Sequence, residues 1–216
     1  MKTDELIDTL SLDPRRQAAP ASIRTYTVAA LAAAAIVLPL SLLWLKPRHD
    51  MAAVLGAGHG IFVLKIAFTT AVAIAALPVL QRLSTPGRRA DGAALLVAAP
   101  FVLMFLLAAY HLAFHPSGEL WQELSHSSWL ACLIEIPALA VIPFAIMALL
   151  MRRYAPTDLP RTGAYIGLLA GGLGGAGYAL HCHDDKIAFV AIAYSAAILL
   201  TSALGAVAGA RLLRWK

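Results

Sequence analysis

Charge is what this chain has least of. Only 13% of its 216 residues are Asp, Glu, Lys or Arg, against about 25% in an ordinary soluble domain. With 60% apolar residues, where about 45–50% is usual, a disordered chain is excluded and a water-soluble globular domain is disfavoured. Cysteine is scarce as well. The two present, Cys132 and Cys182, are too few for a disulfide scaffold and lack the paired spacing of a structural zinc ribbon. There is no P-loop, no H-E-x-x-H helix, no G-x-S-x-G elbow and no pair of carboxylates placed for acid–base work. Gly172-Leu173-Gly174-Gly175-Ala176-Gly177 satisfies G-x-G-x-x-G by letter, but it lies inside an apolar run with no preceding strand and reads as packing. No enzymatic activity and no cofactor are expected.

What the chain does have is long apolar runs. A helix needs about 20 mostly apolar residues to cross the hydrocarbon core, and six stretches qualify: 25–45, 59–80, 92–113, 129–151, 162–180 and 187–210. No signal peptide is evident ahead of the first. The expected fold is therefore all-α, a multi-pass integral membrane bundle of six transmembrane helices in contact with lipid. It divides into a cytoplasmic tail over 1–24 with a short amphipathic helix, a transmembrane domain over 25–210 and a basic C-terminus over 211–216.

Orientation follows from the basic residues. Lys2, Arg15, Arg16, Arg24, Arg82, Arg88, Arg89, Arg152, Arg153, Arg161, Arg211, Arg214 and Lys216 fall on one side, and Lys46, Arg48 and Lys186 on the other. That bias puts both termini in the cytoplasm. The net charge of +5 then reports cytoplasmic loops, with no direct nucleic-acid contact.

Small residues recur every four positions as Gly163, Gly167, Gly171 and Gly175 in span five, and as Ala193, Ala197, Thr201, Gly205 and Gly209 in span six. Such stripes let membrane helices approach closely. Spans five and six are expected to form a tight pair, with a homodimer contact through the Gly-rich span 163–177 as an added reading. The plainer alternative is that small residues merely fill a bundle core.

This topology collects all the imidazoles and thiols on the outer side. They are His49, His59, His111, His115, His126, His181 and His183, with Cys132 and Cys182. Imidazole and thiolate suit zinc and copper, and His181-Cys182-His183-Asp184-Asp185 places five potential ligands in five residues. A transient metal site from Cys132, Cys182, His181 and His183 is one reading, and a solvated polar loop is the other. The cysteines could form a disulfide, act as reactive unpaired thiols, or be inert core residues.

Two ionisable residues lie within spans, where burial is costly and usually functional. Lys65 and Glu135 each lie about six residues from the outer end of their spans, roughly 9 Å deep at 1.5 Å per residue. Equal depth and opposite sign make them expected partners, and Cys132 shares a helix face with Glu135. Lys65 could instead snorkel to the interface. At the cytoplasmic end, Thr3 would cap a short helix whose apolar stripe is Leu6, Ile7 and Leu10, with Asp4 and Glu5 in its first turn and Asp13-Pro14 ending it. An acidic amphipathic helix suits a groove on a basic partner protein better than an anionic leaflet. The alternative is a frayed, unbound tail.

Taken together, these residues resemble the bacterial six-span anti-sigma factors known as negative regulators of sigma F. The likeness is carried by Lys2-Thr3-Asp4-Glu5-Leu6-Ile7-Asp8, the Lys65 segment, Cys132-Leu133-Ile134-Glu135-Ile136-Pro137 and Arg152-Arg153. It continues through Tyr178-Ala179-Leu180-His181-Cys182-His183-Asp184-Asp185, Phe189-Val190-Ala191 and Arg211-Leu212-Leu213-Arg214-Trp215. The blocks around the two cysteines are the specific part. His183 and Ala193 stand where the family pattern commonly has Pro and Trp.

The resemblance implies a membrane protein that sequesters an extracytoplasmic-function sigma factor on the cytoplasmic side. It also implies that Cys132 and Cys182 help to sense heavy metals or oxidants in a stress response. Lys65, Glu135, His181, His183, Asp184 and Asp185 would support that outer site. Residues 3–12, and the basic loops with them, would hold the partner. The competing reading is a small metal or solute transporter. The inner halves of the spans carry no ionisable residue, so a continuous polar route is not evident.

Overall fold

A computed structural model describes residues 22–49, 51, 60–85, 91–114, 129–154, 156 and 158–214, excepting the Asp91 side chain. Every regular element among them is helical: α1 (Ile23–Trp44), α2 (Gly60–Leu83), α3 (Asp91–Phe114), α4 (Trp129–Arg152), α5 (Leu159–Ala179) and α6 (Ile187–Leu212). The sequence-derived tail helix with Asp4, Glu5, Leu6, Ile7 and Leu10 lies outside the described residues, as do His59, His115 and His126.

Five of the helices are long and apolar enough to cross a membrane, and α5 is not among them. Six apolar spans were expected, and the difference has a physical cause. Seven glycines in α5 (positions 163, 167, 171, 172, 174, 175 and 177) dilute its hydropathy. Its neighbours shield it instead: α5 is the hub of the bundle, packed on α6, α4, α2 and α1. A helix shielded by other helices need not be apolar enough to face lipid. By contrast α3 sits at the rim against α2 and the start of α6, with Leu95, Leu96, Val102, Leu103 and Leu106 exposed. Prolines inside α1–α4 (Pro39, Pro78, Pro100, Pro137 and Pro143) are of the kind that bundles tolerate, because neighbouring groups satisfy the freed carbonyls.

The glycines of α5 are used on several faces. A Cβ on Gly163 would collide with the Gly205 carbonyl, and one on Gly167 would lie 2.5 Å from Thr201 O. On other sides, a Cβ on Gly172 would lie 2.6 Å from Thr69 O in α2, and one on Gly174 2.7 Å from Ile136 O in α4. The expected α5–α6 pair is thus present at backbone contact. Several glycines of the 163–177 stripe are in contact with α6, α2 and α4 of the same chain. Gly172–Gly177, the nucleotide-fingerprint look-alike, is buried in helix–helix contacts.

Near its start α6 contains a π-helical turn, Val190–Tyr194, which adds a residue to the local turn. Such turns recur at functional sites. Here the turn ends on Tyr194, which is fully buried beside the α5–α6 loop.

Candidate functional site

The α5–α6 loop, residues 180–186, folds back into the bundle instead of standing clear of it. The carbonyl of Tyr178, at the end of α5, accepts from the backbone N–H groups of His181 (3.0 Å) and Cys182 (3.0 Å). This turn buries Cys182 while leaving His183 exposed. The segment after α1 lies alongside: Arg48 N–H donates to Leu180 O at 3.2 Å, and His181 Nδ1 lies 3.0 Å from Lys46 O. Lys46 itself has φ 62°, a left-handed conformation that a non-glycine residue holds only where its surroundings fix it.

Beneath the loop is a charge cluster. Lys65 of α2 is fully buried, and its three ammonium hydrogens have three partners. Nζ lies 2.7 Å from Asp185 Oδ1, 3.3 Å from Cys182 O and 3.8 Å from Cys182 Sγ. Arg48 grips the same carboxylate from the other side, with Nη2 2.9 Å from Oδ2 and Nη1 3.3 Å from Oδ1, and it reaches Cys182 O at 3.3 Å. Its guanidinium also lies over the Phe62 ring, 5.9 Å from the centroid. Burial opposes ionisation of Asp185, but Arg48 and Lys65 outweigh it and hold the carboxyl below the ordinary carboxylate range.

The sulfurs come next. Cys132, near the start of α4, is fully buried; it lies beside Cys182, and both are free thiols. Tyr178 neighbours Cys132, and the backbone N–H of Asp184 points at Cys182. Tyr194 lies beside Cys182, yet its buried hydroxyl makes no hydrogen bond among the described residues. Contact with the Cys132 thiol lowers the Cys182 pKa, burial opposes the shift, and the Lys65 ammonium reinforces it, leaving the thiol at about 6. Chemically this is a nucleophilic sulfur, a second thiol within reach and a fixed cation.

Several expected site residues converge here and others do not. Cys132, Cys182, Lys65 and Asp185 share one site, with Asp184 at its edge. The pairing of Lys65 with Glu135 does not occur: Lys65 is bound to Asp185. Glu135 is half-buried and makes no ion pair or hydrogen bond among the described residues. They match in expected depth, but α2 and α4 each pack on α5 rather than on one another.

The histidines leave the sulfurs. His181 turns to Lys46, while His183 stacks on His49 with centroids 4.8 Å apart and Nε2 3.2 Å from Nδ1. Among the described residues no three His, Cys, Asp or Glu side chains converge as metal ligands, so the set Cys132, Cys182, His181 and His183 is not assembled.

Arg48, Tyr178 and Tyr194 were not singled out from sequence. A signal existed for Arg48, since a cation on the side that carries few basic residues is the one to suspect of a fixed partner. Two grooves, one between α4 and α6 and one among α1, α2 and α5, are lined mostly by apolar side chains among the described residues.

Comparison with known proteins agrees with the earlier resemblance. Residues 10–215 match the family described as negative regulator of sigma F, NrsF. The chain is 32% identical, over the full length of both chains, to the anti-sigma-F factor NrsF of Caulobacter vibrioides. It is 31% identical, again over both full lengths, to the probable anti-sigma-F factor NrsF of Azospira oryzae. No solved structure matches.

Proposed function

The chain belongs to the NrsF family of negative regulators of sigma F, and from that premise we propose that it is a six-span inner-membrane anti-sigma factor that senses oxidants through its outer thiols. It is a regulator and not an enzyme. In this reading α5 also crosses the membrane and completes the six spans, both termini are cytoplasmic, and the partner is an extracytoplasmic-function sigma factor. Support for the orientation comes from the thirteen-to-three distribution of basic residues, excluding Lys65 within α2. The partner contact is assigned to the apolar stripe Leu6, Ile7 and Leu10 with Asp4 and Glu5.

One observation carries the sensing role. Two thiols from distant parts of the chain meet under a loop that is clamped by buried charges. Joining them would tie the outer end of α4 to the α5–α6 loop and disturb the charge cluster. A signal shifts a two-state protein only through differential free energy. About 2.7 kcal/mol suffices for a 100-fold change in free sigma factor, which is within the 2–4 kcal/mol typical of one disulfide.

The test uses cells co-expressing the cognate sigma factor. Cys132→Ser with Cys182→Ser should keep repression and lose release on hydroperoxide addition, measured with a sigma-dependent reporter. A double variant that still responds normally ends the sensing role. For the partner contact, Leu6→Asp should weaken co-purification of the sigma factor at least tenfold. Burial of one Leu contributes about 1.5–3 kcal/mol, and each 1.4 kcal/mol is tenfold. Undiminished recovery would move the contact to the basic loops.

A further inference from the structure

The sensor reading treats the two thiols alike, but their surroundings differ. Cys182 Sγ faces Lys65 from α2, Cys132 from α4, Tyr178 from α5 and Tyr194 from α6, and it receives the Asp184 N–H from its own loop. The ammonium beside it is fixed, because Asp185 holds Lys65 Nζ at 2.7 Å while Arg48 holds the other carboxylate oxygen at 2.9 Å. Cys132 has a different set of neighbours: Cys182, the Tyr178 hydroxyl and the negative field of Asp184, with no cation in contact among the described residues. It sits within a helix and is fully enclosed. A thiolate is the reacting form of cysteine, and a cation is what stabilises it.

We propose that Cys182 is the thiol that meets the oxidant, that Cys132 is the thiol that resolves it, and that buried Lys65 is the positioning residue that makes the two unequal. This rests on the sensor reading and deepens it. The oxidant class is a hydroperoxide. The Cys182 thiolate attacks its terminal oxygen and the O–O bond breaks. The alkoxide leaves, takes up a proton as the alcohol, and leaves Cys182 as the sulfenic acid. The Cys132 thiol then gives up its proton and attacks the Cys182 sulfur. The S–O bond breaks, hydroxide leaves with that proton as water, and the disulfide forms. Two thiols and one hydroperoxide become one disulfide, one alcohol and one water. Tyr194, with its buried hydroxyl unpartnered, stands where it can donate to the oxygen held on Cys182.

The test uses the full chain in detergent, tert-butyl hydroperoxide as oxidant and dimedone as trap, with labelled sites read by mass spectrometry. In Cys132→Ser the sulfenic acid should accumulate on Cys182, with a rate that rises with pH as the thiol ionises and then levels off. In Cys182→Ser, labelling of Cys132 should be at least tenfold slower. Adding Lys65→Met to Cys132→Ser should slow Cys182 about tenfold at pH 7 and move the midpoint upward, since the ammonium 3.8 Å from Sγ that favours the thiolate is gone. Lys65→Arg should restore the rate to within about threefold. Lys65→Met combined with Asp185→Leu removes the Lys65–Asp185 pair and leaves Arg48 as the one cation of the cluster, and should show the same upward midpoint in a chain that still elutes as a monodisperse peak. Equal labelling of the two cysteines, or a midpoint unmoved by Lys65→Met, overturns the assignment. Sigma release is scored separately. Thiols that react in this order without release overturn the sensor reading and leave the assignment standing.

Discussion

Asp185→Ala should lower the thermal unfolding midpoint of the detergent-solubilised protein by roughly 6–12 °C. The expectation rests on about 3 kcal/mol of lost stability at about 2–4 °C per kcal/mol for a chain of this size. The loss comes less from the missing attraction than from what is left behind. Lys65 is fully buried and the Arg48 side chain is 3% exposed, so removing their shared carboxylate leaves cations without the charge they were folded around. The figure is the lower end of the 3–5 kcal/mol range for breaking a buried pair, because the Asp185 side chain keeps 20% exposure and water softens the field there.

Asp185→Asn keeps two polar atoms in place and should cost less. Lys65→Met with Asp185→Leu should recover part of the loss, because well-packed apolar groups replace a buried pair with little penalty. A midpoint for Asp185→Ala within a degree of the parent would show that the cluster does not clamp the loop.

The pH dependence has a definite sign. A carboxyl held below its ordinary value contributes stability above that value, near 3.9, and loses it only as pH falls through the lowered value. Mild acid therefore leaves the clamp closed, and a trigger acting between about pH 5 and 7 has to act elsewhere, as proposed for the Cys182 thiolate.

How much of this was legible in the sequence depends on dimension. The length and polarity of an apolar run are one-dimensional, so five spans were readable directly; the α5–α6 pair was readable from the four-residue spacing of its glycines. Partner choice is different, because it depends on helix rotation. Lys65 and Glu135 match in depth, but a helix turns about 100° per residue, so depth alone leaves direction open. The partner came instead from a non-helical loop, where no periodicity marks Asp185.

The run His181-Cys182-His183-Asp184-Asp185 looked like a ligand set because its residues adjoin in sequence. Folded, it sends Cys182 inward, His183 outward to His49 and Asp185 down onto Lys65. Proximity in a loop does not give convergence.

Gly167→Val should be among the most damaging single changes in the helical bundle. It adds side-chain carbons where a first one would already sit 2.5 Å from Thr201 O and 2.8 Å from Ser202 Cα. Both obstacles are backbone, so no rotamer change relieves them; only separation of α5 from α6 does. Helix α5 has nowhere to retreat. On its other faces Gly172 and Gly174 are already at backbone contact with α2 and α4. The cost should exceed the 1–3 kcal/mol usual for overpacking, and most of the protein should be lost from the monodisperse fraction in size exclusion.

The control is Gly92→Ala in α3, where a Cβ meets nothing within 4 Å. There the unfolding midpoint should hold or rise slightly, since Ala is favoured over Gly in a helix by about 0.5–1 kcal/mol. Matching midpoints for the two variants would refute the hub role of α5. A Gly167→Val chain that stays folded but turns from dimer to monomer would mean that the stripe serves a second copy after all. The expected outcome is unfolding, because the α5–α6 seam sets the position of the loop that carries Cys182 to Cys132.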